Sequence, residues 1–491
     1  MGKVANQSFR TAIFSYLGVV IGYFNVLWLY PYALEAAELG TFRTIQDLAL
    51  LIVPFAQLGL GNGITRYFPK LQSNQSSFLS FSLLIALLGF ILAASLFWLF
   101  QDEIIGLFAK NSPEVIRYLW IVLFITFLAL ANSILDAYSR SYLKVSIPTF
   151  FREVFLRLLT GIWMIFFLIK WIDFDQMMAG LIGVYGLPLL GMVAYLVYLR
   201  VLKLDFSWSK FPKGFRTAFI QFSLITFLAT AASTLILKID SIMVSSLISL
   251  EANAIYTIAF SMAIVIEMPR RAISQVIMPV IADHFSKENH PAIQKIYTQV
   301  SNRQFYISLL IFLGIWINID FIYRLIPNSS LYEAGKWVVF WIGLGKVIDA
   351  LFSANSEILV FSKYFKFNLI ATILMSIMIV LLNYLLIPQF GISGAAIASA
   401  LVMLLFNMVK FFFLKYRLQM NPFSPETLKI LILGIALFLL FMGLPTFENY
   451  WLDFVLRSLI LVSFFLGLAM LGWVGKEEWE WVREKIKKPK P

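Results

Sequence analysis

The sequence contains no cysteine and only two histidines among its 491 residues. Without cysteine, the chain can form neither a disulfide bond nor a metal site with thiolate ligands. The two histidines, His284 and His290, occur in one connection beside Asp283 and Glu288, and their spacing matches no metal-ligand pattern. We therefore expect no metal site and no cofactor.

Charged residues are also scarce. Asp, Glu, Lys and Arg make up 13% of the chain, whereas hydrophobic residues make up 60% and the mean hydropathy is +0.84. Soluble domains contain roughly 45–50% apolar residues, and so few charges cannot cover the surface of a water-soluble protein of this length. The composition predicts a protein that lies almost entirely in a membrane.

Long apolar stretches divide the chain into membrane spans, each of which needs about 20 apolar residues. Fourteen such stretches lie at 11–32, 43–66, 77–100, 115–139, 152–171, 177–199, 216–238, 253–282, 303–323, 337–361, 368–387, 392–413, 429–446 and 453–474. The first is too long for a signal peptide and no small-residue cleavage site follows it, so we interpret it as an uncleaved helix. The predicted fold class is an all-α polytopic membrane protein with 14 transmembrane helices.

Basic residues alternate between the two sides of these spans. Of the 39 Lys and Arg residues, 26 fall in the even-numbered connections and the two termini, and only five fall in the odd-numbered connections. The positive-inside rule then predicts that both termini are cytoplasmic. Because these charges form no single patch or aromatic-lined groove, they do not indicate a nucleic-acid partner.

The spans fall into two halves and an appendage. Residues 136–140 in the fourth span can be laid over residues 353–357 in the tenth, and a short basic connection follows each. This internal similarity predicts two parallel six-helix lobes related by an axis along the membrane normal, with a cavity between them. The predicted parts are a lobe of helices 1–6 at 1–206, a lobe of helices 7–12 at 207–420, helices 13–14 at 421–475 and a basic cytoplasmic tail at 476–491.

Several motifs resemble one family of membrane proteins. They are LGTFR at 39–43, QLGLGNG at 57–63, RYFP at 66–69 and LIPQFGISGAAIA at 386–398. With the helix count and the two halves, they make the chain similar to polysaccharide flippases of the O-antigen and exopolysaccharide type. These flippases belong to the multidrug/oligosaccharidyl-lipid/polysaccharide (MOP) exporter superfamily. The glycines of the second motif lie in an apolar helix with no strand before it, so they do not indicate a nucleotide-binding loop.

The resemblance implies a transporter and not an enzyme. Such a flippase moves a polyprenyl-pyrophosphate-linked oligosaccharide across the membrane by alternating access, for the synthesis of lipopolysaccharide O-antigen or exopolysaccharide. The partners that the resemblance implies are an undecaprenyl-pyrophosphate-linked glycan as substrate, membrane lipids, a polymerase and other polysaccharide-assembly proteins. It also implies that helices 2 and 8 border the central cavity.

Ionisable residues in and at the ends of the spans indicate a site, because a charge at the bilayer centre costs about 2.5–3.5 kcal/mol and usually faces a cavity or a partner. The candidate substrate-binding residues are Arg43, Asp47, Arg66, Arg157, Glu267, Arg270, Arg271, Lys346 and Asp349. Guanidinium groups suit a pyrophosphate, since they stay charged and donate two parallel hydrogen bonds to its oxygens. The other interpretation is that these residues are internal ion pairs that only make membrane insertion tolerable.

Spacing along each helix predicts which of these charges pair, because residues three or four apart share a helix face. The predicted pairs are Arg43 with Asp47, Glu267 with Arg271, and Lys346 with Asp349. Arg157 and Arg270 have no obvious partner of their own in the same helix. We therefore expect these two arginines to be the better candidates for binding an anion.

The eighth span has two interpretations. Residues 252–268 are long enough to cross the membrane alone, which would place Pro269, Arg270 and Arg271 at the cytoplasmic surface. Alternatively, one long helix at 253–282 places residues 267–271 near the bilayer midplane. The resemblance favours the long helix.

Alternative functions require residues that the sequence supplies only in part. Drug and cation exporters of the superfamily commonly have a carboxylate in the first helix, where this chain has Asn25 as its most polar interior residue. Lipid II flippases use polar groups of helices 7, 11 and 12 for sodium, and Asp240 and Asn383 could form part of such an ion-coupling site. A membrane polymerase or glycosyltransferase needs a large catalytic loop, but the longest periplasmic connection, 238–252, has only Asp240 and Glu251 as carboxylates.

Overall fold

The computed structural model describes residues 2–71, 75–445 and 447–470. Every regular element in these ranges is helical: α-helices, short 3-10 turns and two π-helical segments, with no strand. The all-helical class that the composition predicts is therefore confirmed. The predicted basic tail at 476–491 lies outside the described residues.

The long helices are labelled α1 to α14 in chain order, and each lies on one of the predicted apolar stretches. They are α1 Phe9–Ala33, α2 Ala36–Gln57, α3 Gln75–Leu99, α4 Leu119–Ser141, α5 146–168, α6 Phe174–Tyr198, α7 Phe215–Leu247, α8 Leu250–Ser286, α9 His290–Ile317, α10 Ser329–Phe352 with Asn355–Phe361, α11 Phe365–Phe390, α12 Ile392–Arg417, α13 Pro425–Gly443 and α14 Tyr450–Gly467.

The number of helices that can cross a membrane is slightly smaller than predicted. In the part of the chain that the structure describes, twelve helices are individually long and apolar enough, and α10 makes a thirteenth when its two parts count as one span. Helix α5 is outside this count. It contains a π-helical segment, Phe150–Phe155, and carries Arg152, Glu153 and Arg157. Length and composition thus support twelve or thirteen spans, against the fourteen predicted.

A glycine turn ends α2 and brings the chain close to α7. Leu58 and Gly59 both have positive φ, 50° and 73°, before a short helix begins at Leu60. A Cβ atom at Gly59 would lie 2.0 Å from the backbone oxygen of Ser223 on α7. Only glycine tolerates both this backbone conformation and this close approach, which explains the motif at 57–63.

Helix α8 is one continuous helical run of 37 residues. A 3-10 turn at Ile264–Glu267 ends two residues before Pro269, which lacks an N–H to donate to the preceding turn. The chain does not leave the helix at Pro269, and the Glu267 side chain is buried. The structure therefore supports the long-helix interpretation of the eighth span.

Helix α10 is bent by 49° at the break between its two parts. Ser353 at the break has φ 43°, a conformation that residues other than glycine rarely adopt. Its N–H donates to Asp349 O at 2.9 Å and its hydroxyl donates to Gln304 Oε1 on α9 at 2.9 Å. The sequence predicted a single span at 337–361, because neither proline nor glycine marks the break.

Contacts divide the helices into two compact units. The first comprises Met1–Thr257 with Asn383–Gly391, and the second comprises Ile258–Leu382 with Ile392–Pro491. Aromatic side chains such as Phe78, Tyr138 and Phe219 fill the first unit, and Phe305 and Phe312 belong to a core of the second. The lobes at 1–206 and 207–420 remain a prediction.

Within the first unit, buried hydroxyl and amide groups join α2, α7 and the start of α8. The hydroxyls of Thr44 and Ser245 are hydrogen-bonded at 2.6 Å, and Asn253 Nδ2 donates to Thr44 Oγ1 at 2.9 Å. Ser241 donates to Asn253 Oδ1 at 2.8 Å, and Ser112 donates to Ser245 O at 2.6 Å. Polar side chains in a membrane protein bond across helices in this way because lipid offers them no alternative partner.

Candidate substrate-binding and ion-coupling site

In the first unit, Asp47 on α2 pairs with a residue of α7 and not with its own helix. Lys238 Nζ donates to Asp47 Oδ1 at 2.6 Å, and the Asp47 side chain is only 11% exposed. The predicted pair of Arg43 with Asp47 is therefore wrong. The long lysine side chain reaches the carboxylate from the neighbouring helix, a contact that spacing along α2 cannot show.

Arg43 is left without a carboxylate partner among the described residues. Its guanidinium lies over the ring of Tyr30, with Cζ 5.6 Å from the ring centroid. Its Nε is buried and has no hydrogen-bond partner, and Tyr185 lies close enough to interact with it electrostatically. A guanidinium with an unused donor, held against a tyrosine ring, can bind the oxygens of an anion.

Arg157 on α5 is held by both its own helix and α1. Its guanidinium pairs with Glu153 at 3.1 Å and donates to Gly18 O, and its own backbone oxygen accepts from Asn25 Nδ2 at 2.8 Å. A Cβ atom at Gly22 would lie 2.8 Å from the guanidinium. The prediction that Arg157 lacks an in-helix partner is wrong, since Glu153 lies one turn before it.

The pair of Arg157 and Glu153 continues into a chain of charges at the ends of α4 and α5. Arg152 Nε lies 3.0 Å from Glu153 Oε1, and Arg152 Nη1 lies 2.9 Å from Asp136 Oδ2. Arg140 Nη2 lies 3.4 Å from the same Asp136 oxygen. This network was not predicted from the sequence. The spacing of Asp136 and Arg140, four residues apart, is the signal that could have indicated it.

Arg66 follows α2 in the short helix Leu60–Tyr67 and is exposed. Its guanidinium lies over the ring of Phe222, with Cζ 4.2 Å from the ring centroid. The structure therefore places this candidate at the surface of the first unit, where an exposed cation–π contact contributes about 0.5–1 kcal/mol.

In the second unit, Glu267 of α8 is paired with two cations. Arg271 Nε lies 2.8 Å from Glu267 Oε1, as the spacing predicts. Lys346 Nζ from α10 lies 2.6 Å from Glu267 Oε2, and the lysine side chain is only 4% exposed. The predicted pair of Lys346 with Asp349 is therefore wrong, because the packing of α10 on α8 offers the lysine a closer carboxylate.

Arg270 is paired across helices. Its Nε lies 2.8 Å from Asp349 Oδ2, and its Nη1 lies 3.8 Å from Glu357 Oε1, both on α10. Asn407 Nδ2 on α12 donates to Asp349 Oδ1 at 3.1 Å. Arg270 indeed lacks a partner in its own helix, as predicted, but α10 supplies carboxylates that the spacing could not reveal.

The two predicted ion-coupling residues are in direct contact. Asn383 Nδ2 donates to Asp240 Oδ1 at 2.6 Å, and the Tyr256 hydroxyl donates to Asp240 Oδ2 at 2.8 Å. Asp240 and Asn383 are 4% and 0% exposed, and Asn383 Oδ1 has no hydrogen-bond partner in the described part of the chain. The contact leaves the buried amide oxygen of Asn383 beside the carboxylate of Asp240. Hard cations prefer amide and carboxylate oxygens as ligands.

The fold and these buried charges define a multi-pass helical membrane protein. A family model described as "Polysaccharide biosynthesis protein" matches residues 10–285, which is more than half of the chain. The chain belongs to this family.

Solved structures with a similar fold are flippases and exporters. The lipid II flippase MurJ, in an inward closed conformation, has a TM-score of 0.69 at 16% identity, over 94% of this chain and 98% of that one. A multidrug resistance MATE family transporter of the MOP superfamily, in an inward-facing conformation, has a TM-score of 0.64 at 15% identity, over 83% and 94% of the two chains. A MOP superfamily transporter from Pyrococcus furiosus has a TM-score of 0.56 at 15% identity, over 85% and 95%. No curated protein matches the sequence.

These comparisons confirm the resemblance to MOP exporters that the motifs indicated. At such low identities the structural similarities show the fold alone. The family match and the fold shared with flippases and exporters agree with the prediction that the chain is a transporter and not an enzyme.

Proposed function

We propose that this protein flips a polyprenyl-pyrophosphate-linked oligosaccharide across the bacterial cytoplasmic membrane by alternating access. Membership of a polysaccharide biosynthesis family supports the glycan, and the similarity to a lipid II flippase supports a lipid-linked substrate. In this proposal both termini face the cytoplasm. The flipped undecaprenyl-pyrophosphate-linked glycan then passes to a polymerase and other assembly proteins for O-antigen, lipopolysaccharide or exopolysaccharide synthesis.

The observation that carries the proposal is the unpaired guanidinium of Arg43. A pyrophosphate crossing hydrocarbon needs a cation that stays charged when water is removed, which a guanidinium does. Arg43 has a buried Nε that no protein group uses, so it can bind a phosphate oxygen without first breaking an ion pair. Tyr30, beneath the guanidinium, holds the side chain in place.

The other basic candidates in the spans are already paired with carboxylates, so they would contribute less to binding of the headgroup. Arg157, Arg270, Arg271 and Lys346 each lie within 3.1 Å of a carboxylate oxygen. A headgroup would have to displace that carboxylate, which costs much of the energy that a new ion pair contributes. In the proposal these residues mainly hold the helices in place, and Arg43 supplies the direct contact.

The test is thermal unfolding of the purified protein in detergent with undecaprenyl-pyrophosphate oligosaccharide, beside undecaprenyl phosphate, lipid II and a cationic dye. A ligand that binds only the folded state raises its Tm as the concentration exceeds Kd. We expect the pyrophosphate oligosaccharide to give the largest shift. Replacing Arg43 by Ala removes a charge-assisted contact worth about 1.5–3 kcal/mol, so the apparent Kd should rise roughly 10-fold to 150-fold.

Arg324→Ala is the matched control, because Arg324 also lies over a tyrosine ring but is exposed (Cζ 5.1 Å from the Tyr450 centroid). We expect it to keep the wild-type affinity. Equal affinity of wild type and Arg43→Ala would show that Arg43 does not bind the headgroup. A shift with the dye alone would support the alternative of a drug or cation exporter.

A lipid II flippase is the second candidate, and the contact between Asp240 and Asn383 favours it. The resemblance implies that lipid II flippases have a sodium site on the corresponding helices. Here Asn383 Nδ2 lies 2.6 Å from Asp240 Oδ1, and Asn383 Oδ1 has no hydrogen-bond partner among the described residues. The lipid II arm of the same titration distinguishes this candidate. A larger Tm shift with lipid II than with the other oligosaccharide, lost in Asp240→Asn when sodium is present, would support it.

A further inference from the structure

Four buried polar side chains on α9 and on the second part of α10 each have an atom with no hydrogen-bond partner among the described residues. The atoms are Tyr297 OH, Ser301 Oγ and Gln304 Nε2 on α9, and Glu357 Oε2 on the second part of α10. The three α9 residues are 0% exposed and Glu357 is 8% exposed. Each buried polar atom without a partner costs about 1–3 kcal/mol, so four of them near one break indicate a ligand.

The contact between Ser353 and Gln304 brings these groups to the same level of the second unit. The Ser353 hydroxyl donates to Gln304 Oε1 at 2.9 Å. Because α9 and α10 are consecutive spans, they run in opposite directions. Ser301 precedes Gln304 by three residues, about 4.5 Å along α9, and Glu357 lies in the first turn after the break, so both follow this contact in the same direction. Tyr297, one turn further along α9, interacts electrostatically with Glu357.

Glu357 carries a negative charge, and its Oε2 atom has no hydrogen-bond partner in the part of the chain that the structure describes. Its Oε1 is 3.8 Å from Arg270 Nη1, whereas Arg270 Nε lies 2.8 Å from Asp349 Oδ2. Lys410 on α12 also interacts electrostatically with Glu357, but its Nζ donates to Ser356 Oγ at 2.5 Å and forms no ion pair with Glu357 within the described residues. A buried carboxylate oxygen without a direct partner is costly, which favours a positively charged ligand beside Oε2.

We propose that Glu357 Oε2, Tyr297 OH and Ser301 Oγ bind a monovalent cation the size of sodium at the break in α10. In other transporter folds Na⁺ is bound where a helix is interrupted, by unwound carbonyls and by the C-terminal end of a helix, and Ser353 caps the C-terminal end of the first part of α10. A half-turn of the Gln304 amide would let Nε2 donate to the Ser353 hydroxyl and turn Oε1 into a fourth oxygen ligand.

The proposed cation site is linked to Arg270 through Glu357. A cation that takes up the charge of Glu357 weakens the attraction between Glu357 and Arg270, and leaves Asp349 as the remaining partner of the arginine. Binding of a cation would thus change how firmly Arg270 holds α8 to α10, which is the role that the proposed function gives to this arginine. This last step rests on the proposed function, whereas the cation site does not.

The test is thermal unfolding of the full-length protein in detergent without any lipid substrate. NaCl is titrated against choline chloride at constant ionic strength, in the Asp240→Asn background that removes the other candidate cation ligand. We expect Na⁺ to raise the Tm to a plateau, and to do so more than K⁺. Glu357→Gln should abolish this shift, and Ser301→Ala should raise the half-saturating sodium concentration about tenfold.

Asp283→Asn, which removes an exposed carboxylate paired with Lys287 at 2.7 Å, is the matched control and should keep the shift. Tyr297→Phe and Ser301→Ala preserve every ion pair, so they report on the site even if Glu357→Gln unfolds. Either a sodium shift that persists in folded Glu357→Gln, or the lack of a sodium-specific shift in the Asp240→Asn protein, overturns the proposal. Because no lipid is present, failure of the flippase proposal would not affect this result.

Discussion

The ion pairs of Glu267 allow a quantitative prediction about whether these charges are structural. Glu267 lies between Lys346 and Arg271, at 2.6 Å and 2.8 Å. Glu267→Gln keeps the size of the side chain and removes its charge. The Lys346 ammonium, only 4% exposed, would then remain buried with no carboxylate to neutralise it.

The size of the effect follows from the exposure of each partner. Removing one partner of a buried ion pair costs about 3–5 kcal/mol, because the remaining charge is left uncompensated. We expect Glu267→Gln to lower the free energy of unfolding by about that amount. Arg271 is 53% exposed, and an exposed ion pair contributes about 0–1 kcal/mol. Arg271→Ala should therefore change the free energy of unfolding by less than about 1 kcal/mol.

The assay is unfolding of each variant in mixed micelles of mild detergent and SDS, followed by tryptophan fluorescence. The double variant Glu267→Gln/Lys346→Met removes both charges and should recover most of the lost stability. A loss of less than about 1 kcal/mol in Glu267→Gln would refute the reasoning. It would show that Lys346 finds another partner or stays solvated. If the double variant also transports normally, these residues hold α8 to α10 and do not contact the substrate.

Three further predictions concern other contacts. Lys238→Met leaves Asp47 buried without its partner and should lower the Tm, and adding Asp47→Asn should restore it. Gly59→Ala places a Cβ atom 2.0 Å from Ser223 O at a positive φ, and should cost about 2 kcal/mol or more of unfolding free energy in the same micelle assay. Arg457→Ala removes a guanidinium that donates to three backbone carbonyls at the end of α13, and should speed amide hydrogen exchange there.

Each of these predictions has a result that would contradict it. An unchanged Tm in Lys238→Met would mean that Arg43 can take over Asp47, which would also weaken the headgroup proposal. Gly186→Ala is the control for the glycine, because nothing lies within 4 Å of a Cβ atom there. It should be neutral or stabilising by up to about 1 kcal/mol, and an equal loss in both variants would refute the packing argument. Unchanged exchange at the end of α13 would show that Arg457 does not hold it.

Some features could be predicted from local sequence because they depend on residues close along the chain. The apolar stretches predict the helices, since about 20 apolar residues suffice to cross a bilayer whatever lies beside them. The pair of Glu267 and Arg271 follows from spacing alone, because both lie on one face of α8. The other two predictions from such spacing, Arg43 with Asp47 and Lys346 with Asp349, were wrong. The spacing only makes a contact possible, and a closer partner on another helix prevents it.

Arg43 shows that spacing along one helix also fails to predict which charge of the candidate site is left without a carboxylate partner. The sequence placed Arg43 and Asp47 four residues apart and favoured Arg157 and Arg270 as the free cations. In the structure Lys238 forms an ion pair with Asp47, and both Arg157 and Arg270 form ion pairs with carboxylates. Which arginine is left free depends on which side chains the packing brings within about 3 Å, and this cannot be read from any one helix.

The sequence by itself therefore determined the class of the protein, its helices and the family it belongs to, because hydrophobic length and local motifs act within single segments. Tertiary structure alone decided the bend of α10 at Ser353, the partners of the buried charges and the group of unpaired oxygens beside Glu357. A charge buried in a membrane has to be compensated by whatever lies nearest in space. The nearest group is most often on another helix, far away in the sequence.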